Sequence, residues 1–172
     1  MSIYNKIKQL KTGIVLIGYT YQYLYRFLYG LKPYEYYELQ SVDDLDNIKN
    51  TMQNSKTFVL LMDTIVFNTT DNDTTSCLHR ANGFNKLYRN QLSILSQNNL
   101  VITCHHIYQG LNMSYAPTHS AEMVLKLDSG RYEGEIKVSV LKDRHGDQKE
   151  YYIQSKYEFR KLKLKRILKY EN

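Results

Sequence analysis

The chain has 172 residues, 42% of them hydrophobic and 23% charged, with a formal charge of +6. That length suits one domain with a proper core, and the composition excludes disordered and fibrous classes. No apolar run approaches the roughly 20 residues that span a bilayer, and MSIYNKIKQL leads into no secretory cleavage pattern.

In chain order, Ile14-Val15-Leu16-Ile17, closed by Gly18, reads as a strand. Residues 19–30 then carry Tyr21, Leu24, Tyr25 and Leu28 at helical spacing, with Gly30 as a stop. Tyr36-Tyr37-Glu38-Leu39 is a short strand. Ser41 reads as the N-cap of a helix reaching residue 54, with Asp43 and Asp44 where the helix dipole favours acids. Residues 58–62 form the clearest buried strand and end in Asp63. The polar stretch 68–76 is a loop. A helix follows over 81–97, its stripe made by Phe84, Leu87, Tyr88, Leu92 and Leu95.

Residues 100–104 are the next strand, and 107–120, with Gly110 and Pro117, a loop. Strands at 123–127 and 135–141 are joined by a turn at Asp128-Ser129-Gly130. A second turn, Lys142-Asp143-Arg144-His145-Gly146, leads to a strand at 150–153 that pairs back. The tail reads either as a helix, through Leu164 and Leu168, or as a strand, through Leu162 and Leu164 alternating with lysines. Between Lys156 and Lys169 it holds seven basic residues against one acid, Glu158. This order predicts an α/β fold with a central, mostly parallel sheet flanked by helices and antiparallel strands at the C-terminal end.

Four segments in sequence carry a resemblance: FVLLMDTIV, LVITCHH, HSAEMVLKL and VSVLKDRHGDQKEYYI. Together they resemble the RecA/RadA ATPase core and its relatives among replicative helicases and phage recombinases, over roughly residues 13–153. The resemblance implies a RecA-like sheet. It also implies that Asp63 closes a Walker B strand and holds Mg²⁺, and that His105 or His106 stands where the family has a polar sensor; His106 is the candidate. Lys142 and Arg144 would then match the basic pair that reaches a neighbour's γ-phosphate in hexameric relatives, a trans finger.

The departures count as much. A phosphate-binding loop needs glycines for the backbone wrap, a lysine for charge and a hydroxyl for Mg²⁺, yet nothing before Asp63 matches GxxxxGK[ST]. GIVLIG is therefore aligned with the family's second strand, as though a segment before it were lost, and Gly18-Tyr19-Thr20 lacks the acid expected there. The domain division is a truncated core over 1–155 and a basic extension over 156–172. No cofactor is expected, with ATP and Mg²⁺ entering only through a site shared with a partner subunit.

The loop holding Tyr108 and Tyr115 offers rings that stack on bases. Lys156, Arg160, Lys161, Lys163, Lys165 and Arg166 are the candidate nucleic-acid contacts of the tail. The expected function is that of a non-hydrolysing accessory protein in DNA recombination or replication, of viral or phage type. Its expected partners are single-stranded DNA and another RecA-like subunit, or itself as a homo-oligomer. A scaffold that never touches DNA and a divergent ATPase with a shared site are the alternatives. Cys77 and Cys104 form no disulfide framework, which fits a cytoplasmic setting, that of the host if viral. With His79, His105 and His106 they lack the usual spacing of structural zinc.

Overall fold

The computed structural model describes residues 1–19, 23–31, 35–38, 48, 50, 56–61, 90, 92–106, 120–146, 148–154 and 165–166. Helix α1 (Ile3–Gln9) is capped by the Ser2 hydroxyl, which accepts from the Asn5 N–H. Ile3 and Ile7 lie one turn apart and both are buried. Sequence reading assigned no element here, although the cap and the isoleucine pair are its signal.

Strand β1 (Gly13–Tyr19) is apolar and buried beyond its first residue, as expected for a strand covered on both faces. Helix α2 (Tyr23–Leu31) follows, burying Leu24, Phe27, Leu28 and Leu31 as one stripe. Tyr19, expected to open this helix, instead closes β1 and is 7% exposed in the core. Then come β2 (Glu35–Glu38), β3 (Thr57–Leu61) and β4 (Leu100–His106). The remaining strands are β5 (Met123–Ser129), β6 (Glu135–Asp143), β7 (Glu150–Gln154) and β8 (Lys165–Arg166). Ile48 and residues 92–95 are helical, inside two of the expected helices.

The sheet order is β7-β6-β5-β1-β4-β3-β2-β8. Strands β5, β1, β4, β3, β2 and β8 run parallel, and β6 and β7 are antiparallel additions, as the composition of the segments predicted. The order corrects one expectation. β1 does not take a second strand's place; it lies at the centre, between β4 and β5, and β2 lies far out toward one edge.

Alternation along the strands divides the core into two layers. Val15, Ile17 and Tyr19 face α1 and α2, together with Ile102, Cys104, Leu125, Ile136 and Val138. Ile14 and Leu16 face the other way, toward Ile48, Leu92 and Leu95. Helices thus cover both faces, the arrangement of a doubly wound sheet. β5 runs on through Ser129, so the turn to β6 falls later than expected. Gly134, at φ 80°, supplies its left-handed residue. The buried Glu135 holds that turn by accepting from the Arg131 backbone N–H at 2.9 Å and its guanidinium at 3.1 and 3.3 Å. Among the described residues, no helix is long and apolar enough to cross a membrane.

Candidate functional site

In an open parallel sheet the binding crevice lies beyond the carboxyl ends of the strands, where the strand order reverses. Here that point is β1: the chain leaves it for β2 on one side and later passes to β5 on the other. In register, Gly18 is flanked by His105 on β4 and Lys126 on β5, and Tyr19 pairs with His106. Gly18 has no side chain, so His105 and Lys126 face each other across a gap on one side of the sheet. Lys126 is held by Asp128 at 3.4 Å. The sequence reading passed over this lysine, whose only signal is its position in the cross-strand register.

His105 has its Nε2 sealed from solvent. Burial pushes its pKa down to about 4, so the imidazole is neutral at physiological pH. Thr103, two residues earlier on the same face, has a buried hydroxyl with no hydrogen-bond partner among the described residues. Cys104 points to the opposite face and is fully buried, and that burial pushes its thiol well up. The alternation therefore keeps Cys104 and His105 from one metal ion, and no cluster of metal-binding side chains occurs among the described residues.

The basic pair lies at the other end of the sheet. Met123, the first residue of β5, pairs with Asp143, the last of β6, so Lys142 and Arg144 sit at the amino ends of the parallel strands. Register places Arg144 near the level of Ile14 and His105 at that of Gly18, roughly 13 Å apart along the strand axis. A bulge at Leu141 shifts the β5–β6 register just before the pair. Burial first, and then the Arg144 charge, lower the Lys142 pKa.

Arg144 is not extended from the hairpin. Its backbone N–H donates to the Glu122 carbonyl at 3.0 Å, and its guanidinium meets the Glu122 carboxylate at 3.3 Å. The second Glu122 oxygen lies 3.0 Å from His145 Nε2. Asp143 accepts from Lys6 at 3.2 Å and from the His145 N–H at 2.9 Å, an Asx turn that fixes the tip. A Cβ at Gly146 would lie 2.8 Å from Asp143 Oδ2 and 3.0 Å from Lys6 Nζ, so a side chain there would push these two side-chain ends aside. A cleft of about 810 Å³ opens beside this cluster, lined among others by Lys6, Lys11, Ser96, Glu122 and His145.

His106 closes β4, and its side chain lies outside the described residues. Asp63, Tyr108, Tyr115, Lys156, Arg160, Lys161 and Lys163 also lie outside them, as do Cys77 and His79. Lys165 and Arg166 form β8, which runs parallel to β2 with Tyr37 opposite Lys165 and Glu38 opposite Arg166. Of the two readings of the tail, the strand holds at these two residues.

No protein-family model matches the chain, and no curated protein sequence does. Solved structures do match. A solved ATPase domain superposes with a TM-score of 0.57 at 8% identity, covering 84% of this chain and 81% of that one. A DnaB-like replicative helicase gives 0.58 at 11%, covering 87% of this chain but 58% of its own length. The RadB recombinase gives 0.54 at 8%, covering 83% and 86%. Identities this low establish architecture and not activity, and the architecture they share with this sheet is that of the RecA-like ATPase fold.

Proposed function

We propose that this domain serves DNA recombination or replication as a RecA-like accessory protein that does not hydrolyse ATP on its own. It acts by binding single-stranded DNA, a partner ATPase, or both. The observation that supports this most is the junction of β1 and α2. A central strand that feeds a helix is where a P-loop stands in the strand–loop–helix motif. Here β1 ends at Tyr19 and α2 begins at Tyr23, leaving only residues 20–22 between them. The sequence there is Thr20-Tyr21-Gln22, with no lysine and no glycine. In the P-loop motif the first glycine closes the strand and Gly-Lys-[Ser/Thr] opens the helix; aligned on Gly18, those three places fall on Tyr23, Leu24 and Tyr25, which supply neither the glycine wrap nor the lysine charge nor a short hydroxyl. The fold is kept without the element that makes it a self-sufficient ATPase.

The hairpin supports the same reading. Lys142 and Arg144 stand at the opposite end of the sheet from the crevice, so any phosphate they serve belongs to another subunit. Arg144 must then exchange Glu122 for that phosphate. The present engagement of Arg144 by Glu122 favours a second reading, in which the fold is a scaffold and the hairpin an ion-paired turn.

Fluorescence anisotropy of labelled single-stranded DNA over a salt series separates the two. Binding through phosphates weakens linearly in log salt as counterions are released. A binding constant with that slope supports the accessory role on DNA. Absence of binding at low salt leaves the scaffold or the partner ATPase, which co-purification from native extract distinguishes by whether a P-loop-bearing subunit co-elutes.

A further inference from the structure

Two carboxylates hold the hairpin tip, and they hold different things. Asp143, whose side chain is 3% exposed, accepts from Lys6 of α1 at 3.2 Å and from the His145 backbone N–H at 2.9 Å. The Arg144 N–H donates to the Glu122 carbonyl at 3.0 Å, and the Glu122 N–H to the Ile14 carbonyl at 2.8 Å. These contacts fix the main chain of residues 143–145 against α1 and the amino end of β1. The Glu122 carboxylate holds side chains instead. Its Oε1 lies 3.3 Å from Arg144 Nη1, and its Oε2 lies 3.0 Å from His145 Nε2.

The fold makes room for Glu122 at this place. Gly13 has φ 99°, and a Cβ there would lie 2.7 Å from Glu122 Cγ. The Glu122 side chain therefore lies over the start of β1 and lines the cleft, 23% exposed, with the Arg144 side chain 45% exposed beside it.

This arrangement separates a fixed backbone from an exchangeable side chain. At 3.3 Å the Arg144 contact is longer than the about 2.7–2.9 Å of a strong charge-assisted bond, and water weakens it further. A phosphate group carries more charge than one carboxylate and fits the guanidinium fork, and Lys142 adds a second positive charge two residues away. The guanidinium can change partners by rotating its own side chain, with Cα held in place. His145 remains on the other Glu122 oxygen, so the carboxylate keeps a partner when Arg144 departs.

We propose that Glu122 is an autoinhibitory latch on Arg144. It occupies the guanidinium in the chain alone and yields it to a phosphate chain presented by another subunit. The inference rests on the reading in which Arg144 serves such a phosphate, and it adds the residue that withholds Arg144 until then.

Titration calorimetry of the full chain with inorganic tripolyphosphate at low salt tests the latch. Glu122→Gln should bind about fivefold more tightly than the wild type, the fold-change of a well-formed, partly exposed ion pair. Glu122→Ala, which leaves no side-chain oxygen for Arg144, should gain at least as much. The gain should vanish in Glu122→Gln/Arg144→Ala. Glu133→Gln removes an exposed acid at the opposite end of β5 and should bind as the wild type does. All four variants should keep the wild-type far-ultraviolet circular dichroism. A gain that persists without Arg144 would overturn the latch, because it would be an effect of net charge alone. Equal affinity of the wild type and both Glu122 variants would also overturn it. If that equal binding still depends on Arg144, the phosphate role of the hairpin stands without a latch; if it does not, that role falls as well.

Discussion

Acidification should unfold this domain in part through His105. Burial holds its folded pKa near about 4, against about 6.5 in an unfolded chain. The folded pKa is depressed, so between these values the unfolded chain binds a proton that the folded one refuses, and stability rises with pH across that window. The contribution is complete above the unfolded pKa and is lost as pH falls toward 4. Taking both values at about pH 4.5, the protonated unfolded form gains about 2.5 kcal/mol over its position at pH 7.5. Marginal stabilities are about 5–15 kcal/mol, so the loss is a large share.

Urea unfolding of the wild type and of His105→Gln, each at both pH values, isolates the effect. The constant cost of the substitution cancels in the comparison, and so do the carboxylates common to both chains. The wild type should lose about 2.5 kcal/mol more than the variant between the two conditions. Equal losses would show that His105 titrates normally and that the β1–β4 end of the sheet is wet.

Other expectations follow from the same geometry. Thr103→Val should stabilise the fold by about 1 kcal/mol in urea, because it removes a buried hydroxyl that has no partner among the described residues. Ile7→Ala should cost about 2–5 kcal/mol, since the side chain is fully buried beneath α1; a loss below 1 kcal/mol would mean that α1 is not docked. Arg131→Ala should destabilise at neutral pH by freeing the Glu135 carboxylate, whose pKa the Arg131 hydrogen bonds hold low; the difference between variant and wild type should shrink as pH falls through that lowered value. Changing Lys156, Arg160, Lys161 and Lys163 together to serine should flatten the salt dependence of single-stranded DNA binding by about 3 in log–log slope if all four meet phosphates.

The strands were the most legible part of this sequence, for a physical reason. Ile14–Ile17 and Phe58–Leu61 are buried on both faces, and such strands appear as unbroken apolar runs. β6 was legible through alternation, with Ile136, Val138 and Val140 buried and Lys137 and Ser139 outward. Helix α1 was missed because it spans only 7 residues, too short for its period to stand out, and a capped Ile3/Ile7 pair is a weak signal. The place of β1 was misjudged because strand order depends on pairings between residues far apart, such as Gly13 with Leu100, which no local pattern encodes.

Much of the candidate site was hidden for the same reason. The Lys142–Arg144 turn was visible, but not its capture by Glu122, some twenty residues earlier in the chain. The Gly18 gap between His105 and Lys126 exists only once three strands are in register. Lys165 and Arg166 were read as phosphate contacts on composition, and their place opposite Tyr37 and Glu38 gives the basic tail a structural partner as well.

The central claim is that the RecA-like fold persists here without a phosphate cradle, and titration calorimetry of the full chain with Mg·ATP tests it most directly. The lack of a Gly-Lys-[Ser/Thr] run where β1 passes to α2 predicts no saturable heat, with or without Mg²⁺. Stoichiometric, Mg²⁺-dependent binding of ATP by the isolated chain would contradict it, and would make residues 20–22 and Asp63 a working nucleotide site.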